Sequence, residues 1–288
     1  MSADPLIAID RVSHVYDQGA LRRQILFEVT AEVQPGEIVI MTGPSGSGKT
    51  TLLTLIGGLR STQEGSLRVM GQELRGADEA TLVRVRRRIG YVFQDHNLLE
   101  PLTAEQNVRM ALRGETLSGR QARERAREML RAVGLADRAD YYPRQLSTGQ
   151  RQRVAVARSL AHQPRLILAD EPTASLDKGS ERDVVDLLFR LAREQGCAIT
   201  LVTHDHRILD VADRVFHLED GRLSSFGGAG LSSHARLPRP VAHCDRKASR
   251  GRGGVACRPG GCRSWSSRRP ARCGGSSTVQ GGASLGLG

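Results

Sequence analysis

Residues 43–50 form a glycine-rich run whose residue types suit the binding of phosphate groups. The run GPSGSGKT matches the pattern G-x-x-x-x-G-K-[ST] at every fixed position. Glycines let such a loop point backbone N–H groups at an anion, Lys49 can reach the terminal phosphates, and Thr50 can offer a hydroxyl to Mg²⁺. Lysine occurs at only three positions of this arginine-rich chain, and one of them is Lys49. The run therefore predicts a nucleotide-phosphate site rather than an ordinary glycine-rich turn.

Two adjacent carboxylates, Asp170 and Glu171, follow the apolar run LILA. Acidic residues at a strand end often only cap the next helix, so this pair alone leaves both interpretations open. Paired with a phosphate loop, Asp170 can hold Mg²⁺ through water, and Glu171 can orient or polarise an attacking water. The two carboxylates then have two roles.

The segments around the phosphate loop predict an α/β arrangement. LIAIDRVSHVY and QILFEVTAEV combine alternation with β-branched residues and predict an antiparallel N-terminal hairpin region. Pro35-Gly36 then precedes a buried strand predicted at 37–42, and TTLLTLIGGL after the glycine-rich run has helical character. Strand, loop and helix in this order are the context that a phosphate loop requires.

The middle of the chain, from about residue 95, changes to helical patterns. Thr103 with Gln106, and Ser118 with Gln121, have the spacing of capping boxes. One apolar stripe ends at Gly134 and consists of Ala122, Ala126, Met129, Leu130 and Val133. These features predict a helical insert.

The remainder of the body predicts further strands. RLILAD and AITLVTH are short apolar runs separated by the amphipathic segment 179–195, which indicates parallel strands joined by a crossover helix. VFHLEDGRL predicts a hairpin with its turn at Asp220-Gly221. Cys197, alone in the body, is expected to be a small buried hydrophobic residue.

The sequence Leu146-Ser147-Thr148-Gly149-Gln150, followed by RQRVAVARSL, resembles the signature motif of the ABC ATPase family. The resemblance covers about residues 5–226 and includes other family motifs in their usual order. It implies that Tyr16 stacks on adenine, that Gln94 links Mg²⁺ to a transporter interface, and that His204 is the switch histidine. Ser175-Leu176-Asp177 resembles the D-loop.

The resemblance thus implies a catalytic group, a metal group and an ATP-binding group of residues. The catalytic residues are Glu171, His204 and Gln94, and the Mg²⁺ residues are Thr50, Gln94 and Asp170. The ATP-binding residues are Tyr16, Gly43, Pro44, Ser45, Gly46, Ser47, Gly48, Lys49, Thr50, Thr51, Ser147, Gly149, Gln150 and Asp177.

One position departs from the family's usual L-S-G-G-Q, because Thr148 stands in place of the first glycine. If that position required a positive φ, a β-branched residue would cost about 1–3 kcal/mol there. Ser147 and Gly149 match the pattern, so we expect the motif still to bind ATP.

The resemblance implies a fold and a function as well as a site. We expect an ABC-type P-loop NTPase at 1–226, with a RecA-like parallel sheet, an N-terminal antiparallel β subdomain and a helical insert at about 95–160. Such a domain hydrolyses ATP as a head-to-tail homodimer, and it powers export by a transmembrane permease, here with a periplasmic adaptor subunit as a further partner. GEIVIMTGPSGSGKTTLLTLIGGLR and YVFQDHNLLEPLTAEQNV are most similar to the macrolide- and lipoprotein-type exporter ATPases, particularly the heterocyst glycolipid subgroup.

Charge is distributed unevenly along the chain. The net charge is +11, and residues 227–288 contain ten Arg and one Lys against Asp245, which leaves about +1 for residues 1–226. This Gly/Ser/Arg-rich tail has little apolar content and is predicted to be disordered, as a frameshifted or otherwise non-family segment would be. Its cysteines, Cys244, Cys257, Cys262 and Cys273, fit no standard zinc spacing.

Composition also bears on location and on alternative functions. No run approaches the ~18 apolar residues of a membrane span, and the N-terminus lacks a signal-peptide pattern. We therefore expect a cytoplasmic protein, and the resemblance to ABC exporter ATPases implies that it is peripheral on the inner face of the plasma membrane. The alternative is a non-transport ABC ATPase acting on nucleic acid or ribosomes, but the chain has neither a coiled-coil insertion nor a second ATPase domain. With Trp265 as its only aromatic residue, the basic tail predicts no specific nucleic-acid binding.

Overall fold

The computed structural model describes residues 4–18, 21–173 and 178–227. The predicted D-loop at 175–177 and all of the predicted tail except Gly227 lie outside the described residues. The strands are β1 (Ile7–Gln18), β2 (Leu21–Val33), β3 (Ile38–Thr42), β4 (Glu64–Val69), β5 (Gln72–Glu73), β6 (Ile89–Val92), β7 (Leu166–Asp170), β8 (Ala198–Val202), β9 (Arg214–Glu219) and β10 (Arg222–Gly227). The α-helices are α1 (Lys49–Ile56), α2 (Glu79–Arg86), α3 (Ala104–Arg109), α4 (Gly119–Ala132), α5 (Thr148–Leu160) and α6 (Lys178–Glu194).

The first four-stranded sheet is antiparallel and has the order β2-β1-β4-β5. Its long β1–β2 hairpin confirms the predicted N-terminal β subdomain. The backbone N–H of Phe27 on β2 donates to the carbonyl of Gly221 at 2.9 Å, which ties this sheet to the turn between β9 and β10.

The second sheet has the order β10-β9-β3-β8-β7-β6, and all of its pairings are parallel except that of β10 with β9. Strand β3 confirms the strand predicted at 37–42, and α6 confirms the crossover helix between β7 and β8. The β9–β10 hairpin turns at Asp220-Gly221, where both residues have positive φ. The predicted RecA-like sheet is therefore present, with an antiparallel strand at its edge.

The central strands β3, β7 and β8 are largely apolar because they are buried on both faces. On β3, Ile38 and Ile40 pack into a core shared with the helical insert and α6, whereas Val39 and Met41 pack into a core shared with the antiparallel sheet and α1. Cys197 is fully buried, as predicted.

The helical insert is built from α3, α4, α5 and three short 3-10 helices at Met110–Leu112, Ala136–Arg138 and Pro143–Gln145. Both predicted capping boxes are formed, by Thr103 with Gln106 at α3 and by Ser118 with Gln121 at α4. The predicted stripe of α4 faces the core, with Ala122 half-buried and the other four members buried. None of the helices in the described ranges is long and apolar enough to cross a membrane.

Candidate functional site

The glycine-rich run lies between the end of β3 and the start of α1. Gly43 has a φ of 139°, and a Cβ atom there would lie 1.9 Å from the carbonyl oxygen of Leu218 on β9. Gly48 caps α1 with a φ of 103°, and a Cβ atom there would lie 2.8 Å from the side chain of Leu26 on β2. Only glycine fits at these two positions, so the packing against both sheets dictates the path of the loop.

Lys49 is buried within the loop, and its Nζ atom donates to the carbonyls of Gly43 and Pro44 at 2.9 Å each. Burial lowers the pKa of Lys49, and the nearby carboxylates of Glu171 and Asp170 oppose that shift. The buried hydroxyl of Ser47 has no hydrogen-bond partner among the described residues. The loop thus holds a cation and an unused donor beside the open wall formed by Ser45, Gly46, Gly48 and Thr50.

Asp170, at the end of β7, meets the first turn of α1. The Thr50 hydroxyl donates to Oδ1 of Asp170 at 3.2 Å. Burial raises the pKa of Asp170, the Thr50 hydrogen bond opposes this, and the charge of Glu171 adds to it. The parallel sheet thus brings together two oxygen-bearing side chains that lie 120 residues apart in sequence.

Glu171 follows directly and has an unusual backbone. Its φ is 44°, a left-handed conformation that costs a non-glycine residue on the order of 1–3 kcal/mol. Its N–H donates to the carbonyl of Val202 on β8 at 2.9 Å. Oε2 of Glu171 lies 3.4 Å from Nδ1 of His204, which follows β8. The structure therefore brings two of the three predicted catalytic side chains, Glu171 and His204, together at the same sheet edge.

Tyr16, on β1, closes the other side of the site. Its hydroxyl lies 3.1 Å from Oγ1 of Thr51 on α1. A cavity of about 350 Å³ separates Tyr16 from Glu171, and its lining residues are Tyr16, Arg23, Ile25, Ser45, Gly46, Gly48, Lys49, Thr50, Thr51 and Glu171.

The predicted signature residues lie on a different part of the molecule. Ser147 is the N-cap of α5, where its hydroxyl accepts from the N–H of Gln150 at 3.3 Å and the Gln150 side chain accepts from the N–H of Ser147 at 3.0 Å. Gly149 lies in the first turn of α5. No hydrogen bond among the described residues joins these three to the phosphate loop of the same chain.

Thr148 is the first residue of α5 and does not have a positive φ. The strain that the sequence would carry with a positive φ here therefore does not arise. The hydroxyl of Thr148 accepts from a guanidinium nitrogen of Arg151 at 3.0 Å, and Arg151 also donates to the carbonyl of Leu146 at 2.9 Å. The threonine stabilises the start of the helix in a way that a glycine cannot.

Gln94 is exposed two residues beyond the end of β6, and no hydrogen bond in the described part of the chain joins it to Thr50 or Asp170. The structure places it at the same sheet edge as the carboxylates without bringing it into contact with them. The residues after Gln94 are fixed by hydrogen bonds, because Arg158 of α5 donates to the carbonyls of His96 and Asn97 at 2.6 Å each. His96 and Asn97 both have positive φ.

Sequence reasoning missed several residues around Tyr16. Arg23 pairs with Tyr16 across the β1–β2 hairpin, so hairpin pairing was the signal that could have found it. Ile25 lies two residues further along β2 and also lines the cavity. Arg60 lies over the Tyr16 ring and His14 contacts its edge, but no sequence pattern connects Arg60 with Tyr16.

Comparisons with known proteins agree with this arrangement. Residues 26–174, about half of the chain, match the ABC transporter family. The chain is 45% identical over 223 residues to the lipoprotein-releasing system ATP-binding protein LolD of Bordetella avium, covering 77% of this chain and 97% of that protein. It is 40% identical over 220 residues to the macrolide export ATP-binding/permease protein MacB of Shigella boydii, covering 76% of this chain and 34% of that protein.

A solved structure agrees as well: the ATP-binding cassette MJ0796, described as a dimeric post-hydrolysis state bound to ADP and Pi, superposes with a TM-score of 0.72. It is 37% identical, and the match covers 78% of this chain and 99% of MJ0796. The structure has a phosphate loop, paired carboxylates and a helical insert in which α5 starts at a signature-like motif. The chain therefore belongs to the ABC transporter family, as an ATP-hydrolysing subunit related to the LolD and MacB exporter ATPases.

Proposed function

We propose that this chain hydrolyses MgATP at the cavity between its phosphate loop and Tyr16, with Glu171 orienting the attacking water. The observation that carries the proposal is the convergence of Lys49, Thr50, Asp170, Glu171 and His204 at one sheet edge. A buried cation, a hydroxyl and two carboxylates are the groups that phosphoryl transfer to water requires.

The residues of the loop are suited to hold the phosphates. Among the described residues Lys49 donates to two loop carbonyls and forms no ion pair, so its ammonium can turn to phosphate oxygens without breaking one. The unpartnered Ser47 hydroxyl can add a further donor, and the N-terminus of α1 adds a favourable dipole. Tyr16 supplies an aromatic surface for the adenine at the far wall of the cavity.

The residues beside the loop fit a magnesium ion. The Thr50 hydroxyl and the Asp170 carboxylate are hard oxygen ligands, which are the kind that Mg²⁺ prefers, and Gln94 can join them from the same sheet edge. Thr50, Asp170 and Gln94 would hold the ion beside the phosphates, where its positive charge would offset the negative charge that develops during transfer.

Glu171 then acts on water rather than on the metal. Its left-handed backbone and its bond to Val202 hold the carboxylate at the mouth of the cavity, where it can accept a proton from water. His204, 3.4 Å from that carboxylate, keeps it in position and can contact the terminal phosphate.

We also propose that the working form is a head-to-tail homodimer. Ser147, Gly149 and Gln150 lie at the N-terminus of α5, on the helical insert, where they can complete the site of a second copy. Asp177, which lies outside the described residues, is proposed as a further ATP-binding residue. The dimeric state of the related cassette MJ0796 supports this arrangement.

The membrane partner would dock beside the helical insert. A groove of about 460 Å³ separates β6 from the insert, and the parallel rings of Tyr91 and Phe93 lie in it. Arg158 lines the same groove and donates hydrogen bonds to the segment after Gln94. A permease helix bound in the groove would therefore contact a residue that holds this segment.

The relatives suggest the direction of transport and the kind of cargo. LolD belongs to a lipoprotein-releasing system and MacB to macrolide export, so we propose that this chain powers export of an amphiphilic cargo. The chain itself would be cytoplasmic and peripheral on the inner face of the plasma membrane. Within this group we favour the heterocyst glycolipid exporter type, with a periplasmic adaptor subunit, because of the sequences at 36–60 and 91–108.

The test is the hydrolysis rate of Glu171→Gln compared with that of the wild-type protein, with dimerisation followed by light scattering. We expect hydrolysis to fall by about a hundredfold or more, while ATP produces a stable dimer. Glu64→Gln, which removes an exposed carboxylate on β4, is the matched control. Equal rates in Glu171→Gln and wild type would show that another group activates the water.

We propose that residues 1–226 form the complete ATPase domain and that residues 227–288 are dispensable. Both sheets and all described helices lie between Ile7 and Gly227, which supports this boundary. The test is the ATPase activity and folding of a variant that lacks the tail. Since β10 runs to Gly227, this deletion should start at residue 228. Loss of ATPase activity or of folding in that variant would contradict the proposal.

A further inference from the structure

We propose that Arg60 is a positioning residue for the nucleotide base, because it fixes Tyr16 so that the ring presents a ready surface to adenine. The proposal rests on the proposed function, since it deepens the role of the cavity between Tyr16 and the phosphate loop. Arg60 follows α1 and is not among the predicted catalytic, Mg²⁺-binding or ATP-binding residues.

The Tyr16 ring is held at three points. The guanidinium carbon of Arg60 lies 4.8 Å from the ring centroid. The imidazole of His14 meets the ring edge-on, with centroids 5.3 Å apart and an interplanar angle of 89°. The ring hydroxyl lies 3.1 Å from Oγ1 of Thr51. The ring is therefore oriented before any nucleotide arrives.

These contacts leave the cavity side of the ring open. Tyr16 lines the 350 Å³ cavity, but neither Arg60 nor His14 does. Arg60 and His14 therefore contact Tyr16 from outside the lining of this cavity. The surface that remains is continuous with the wall formed by Arg23 and Ile25.

Arg60 is available for this contact because it has no competing ion pair. Within residues 4–18, 21–173 and 178–227, no carboxylate lies within ion-pairing distance of its guanidinium. Burial, followed by the charge of Arg60, lowers the pKa of His14, so this imidazole stays neutral and does not repel the guanidinium at neutral pH. A planar guanidinium can lie flat on an aromatic ring, which makes arginine better suited to this role than lysine.

The effect on nucleotide affinity follows from pre-organisation. A ring that is already fixed loses less conformational freedom when a base stacks on it. The cation–π contact that fixes the ring should have the strength that such contacts have at exposed sites. Removal of the guanidinium should weaken ATP binding by about two- to fivefold. The loss should be confined to ligands that contain a base.

The experiment measures the affinity of the full chain for two ligands, ATP and inorganic tripolyphosphate, each with Mg²⁺, by calorimetry. The variants are Arg60→Ala, Tyr16→Ala and the double variant, with Arg120→Ala as a control that removes a positive charge from the exposed face of α4. We expect Arg60→Ala to weaken ATP binding two- to fivefold, to leave tripolyphosphate binding unchanged, and to add nothing in the Tyr16→Ala background.

Three results would overturn the proposal: unchanged ATP affinity in Arg60→Ala, equal weakening for ATP and tripolyphosphate, or a full Arg60 effect that persists without the Tyr16 ring. If Arg60→Ala does not fold, Arg60→Gln carries the same expectations. Lys49→Ala tests the proposed function separately, because it should weaken both ligands whether or not Arg60 acts on Tyr16.

Discussion

Nδ1 of His204 lies 3.4 Å from Oε2 of Glu171, which joins the second residue after β8 to the first residue after β7. The two strands are hydrogen-bonded neighbours in the parallel sheet, so the contact depends on strand register. His204 is largely exposed and Glu171 is half-buried, which leaves the imidazole free to contact a ligand.

Replacement of His204 by alanine should lower the rate of ATP hydrolysis by tenfold or more, on the order of the loss for a positioned polar group, with little change in ATP affinity. His206→Ala, which removes a neighbouring exposed imidazole, is the control. In the Glu171→Gln background, the His204 effect should shrink because the two side chains act together. Additive losses in the double variant would contradict a shared role.

The Mg²⁺ concentration that hydrolysis requires should show whether Thr50 and Asp170 bind the metal. Asp170→Asn and Thr50→Val should each raise the Mg²⁺ concentration needed for half-maximal hydrolysis, whereas Thr50→Ser keeps the hydroxyl and should behave like wild type. Because burial raises the pKa of Asp170, protons compete with the metal at a higher pH than for an ordinary aspartate. The Mg²⁺ requirement should therefore increase as the pH falls, and a pH-independent requirement would argue against Asp170 as a ligand.

Thr148→Gly restores the family's usual glycine and should destabilise this protein. The change removes the hydrogen bond from Arg151 and places glycine in the first turn of α5, at a cost of about 0.5–1.5 kcal/mol. Urea unfolding monitored by circular dichroism measures the difference, and hydrolysis should remain within about twofold of wild type. A more stable glycine variant would mean that the threonine backbone is strained after all.

Stability should fall as the pH decreases through 6.5. His14, His96 and His162 all have pKa values below the ordinary 6.5, mainly because burial penalises the charged imidazole. The unfolded chain therefore binds protons at a higher pH than the folded chain, so stability is complete above pH 6.5 and is lost as the pH falls below it.

The slope of this loss is at most about 1.4 kcal/mol per pH unit for each histidine. Glu73, Asp78, Asp205 and Asp210 have lowered pKa values too, but from ordinary values of 4.5 or 3.8, so they contribute only at more acidic pH. Unfolding free energies at pH 7.5, 6.5 and 5.5, with His162→Gln as the comparison, check the prediction. An unchanged slope in His162→Gln would remove that residue from the account.

Much of the fold follows from local patterns in the sequence. The capping boxes at Thr103 and Ser118, the crossover helix and the turn at Asp220-Gly221 are each set by residues close together in the chain, and the structure confirms them. The strand pair β4–β5 and the helix α2 were not predicted, because β5 has only two residues and α2 exposes most of its length.

The site was predictable as a set of residues but not as a set of contacts. Parallel strands bring Asp170 and His204 to one edge, so their proximity follows from topology. The position of Arg60 over Tyr16, by contrast, depends on where the chain turns after α1, and no spacing rule connects two residues 44 positions apart. The backbone conformation of Thr148 could not be predicted from the sequence either, because the sign of its φ depends on where α5 begins.

The left-handed backbone of Glu171 sets the stability of the fold against catalytic turnover at a single position. A glycine there would adopt the φ of 44° without strain and relieve on the order of 1 kcal/mol, so it should yield a hardier protein. It would also remove the carboxylate that we assign to the attacking water. A screen for thermal tolerance alone would therefore enrich variants that no longer hydrolyse ATP.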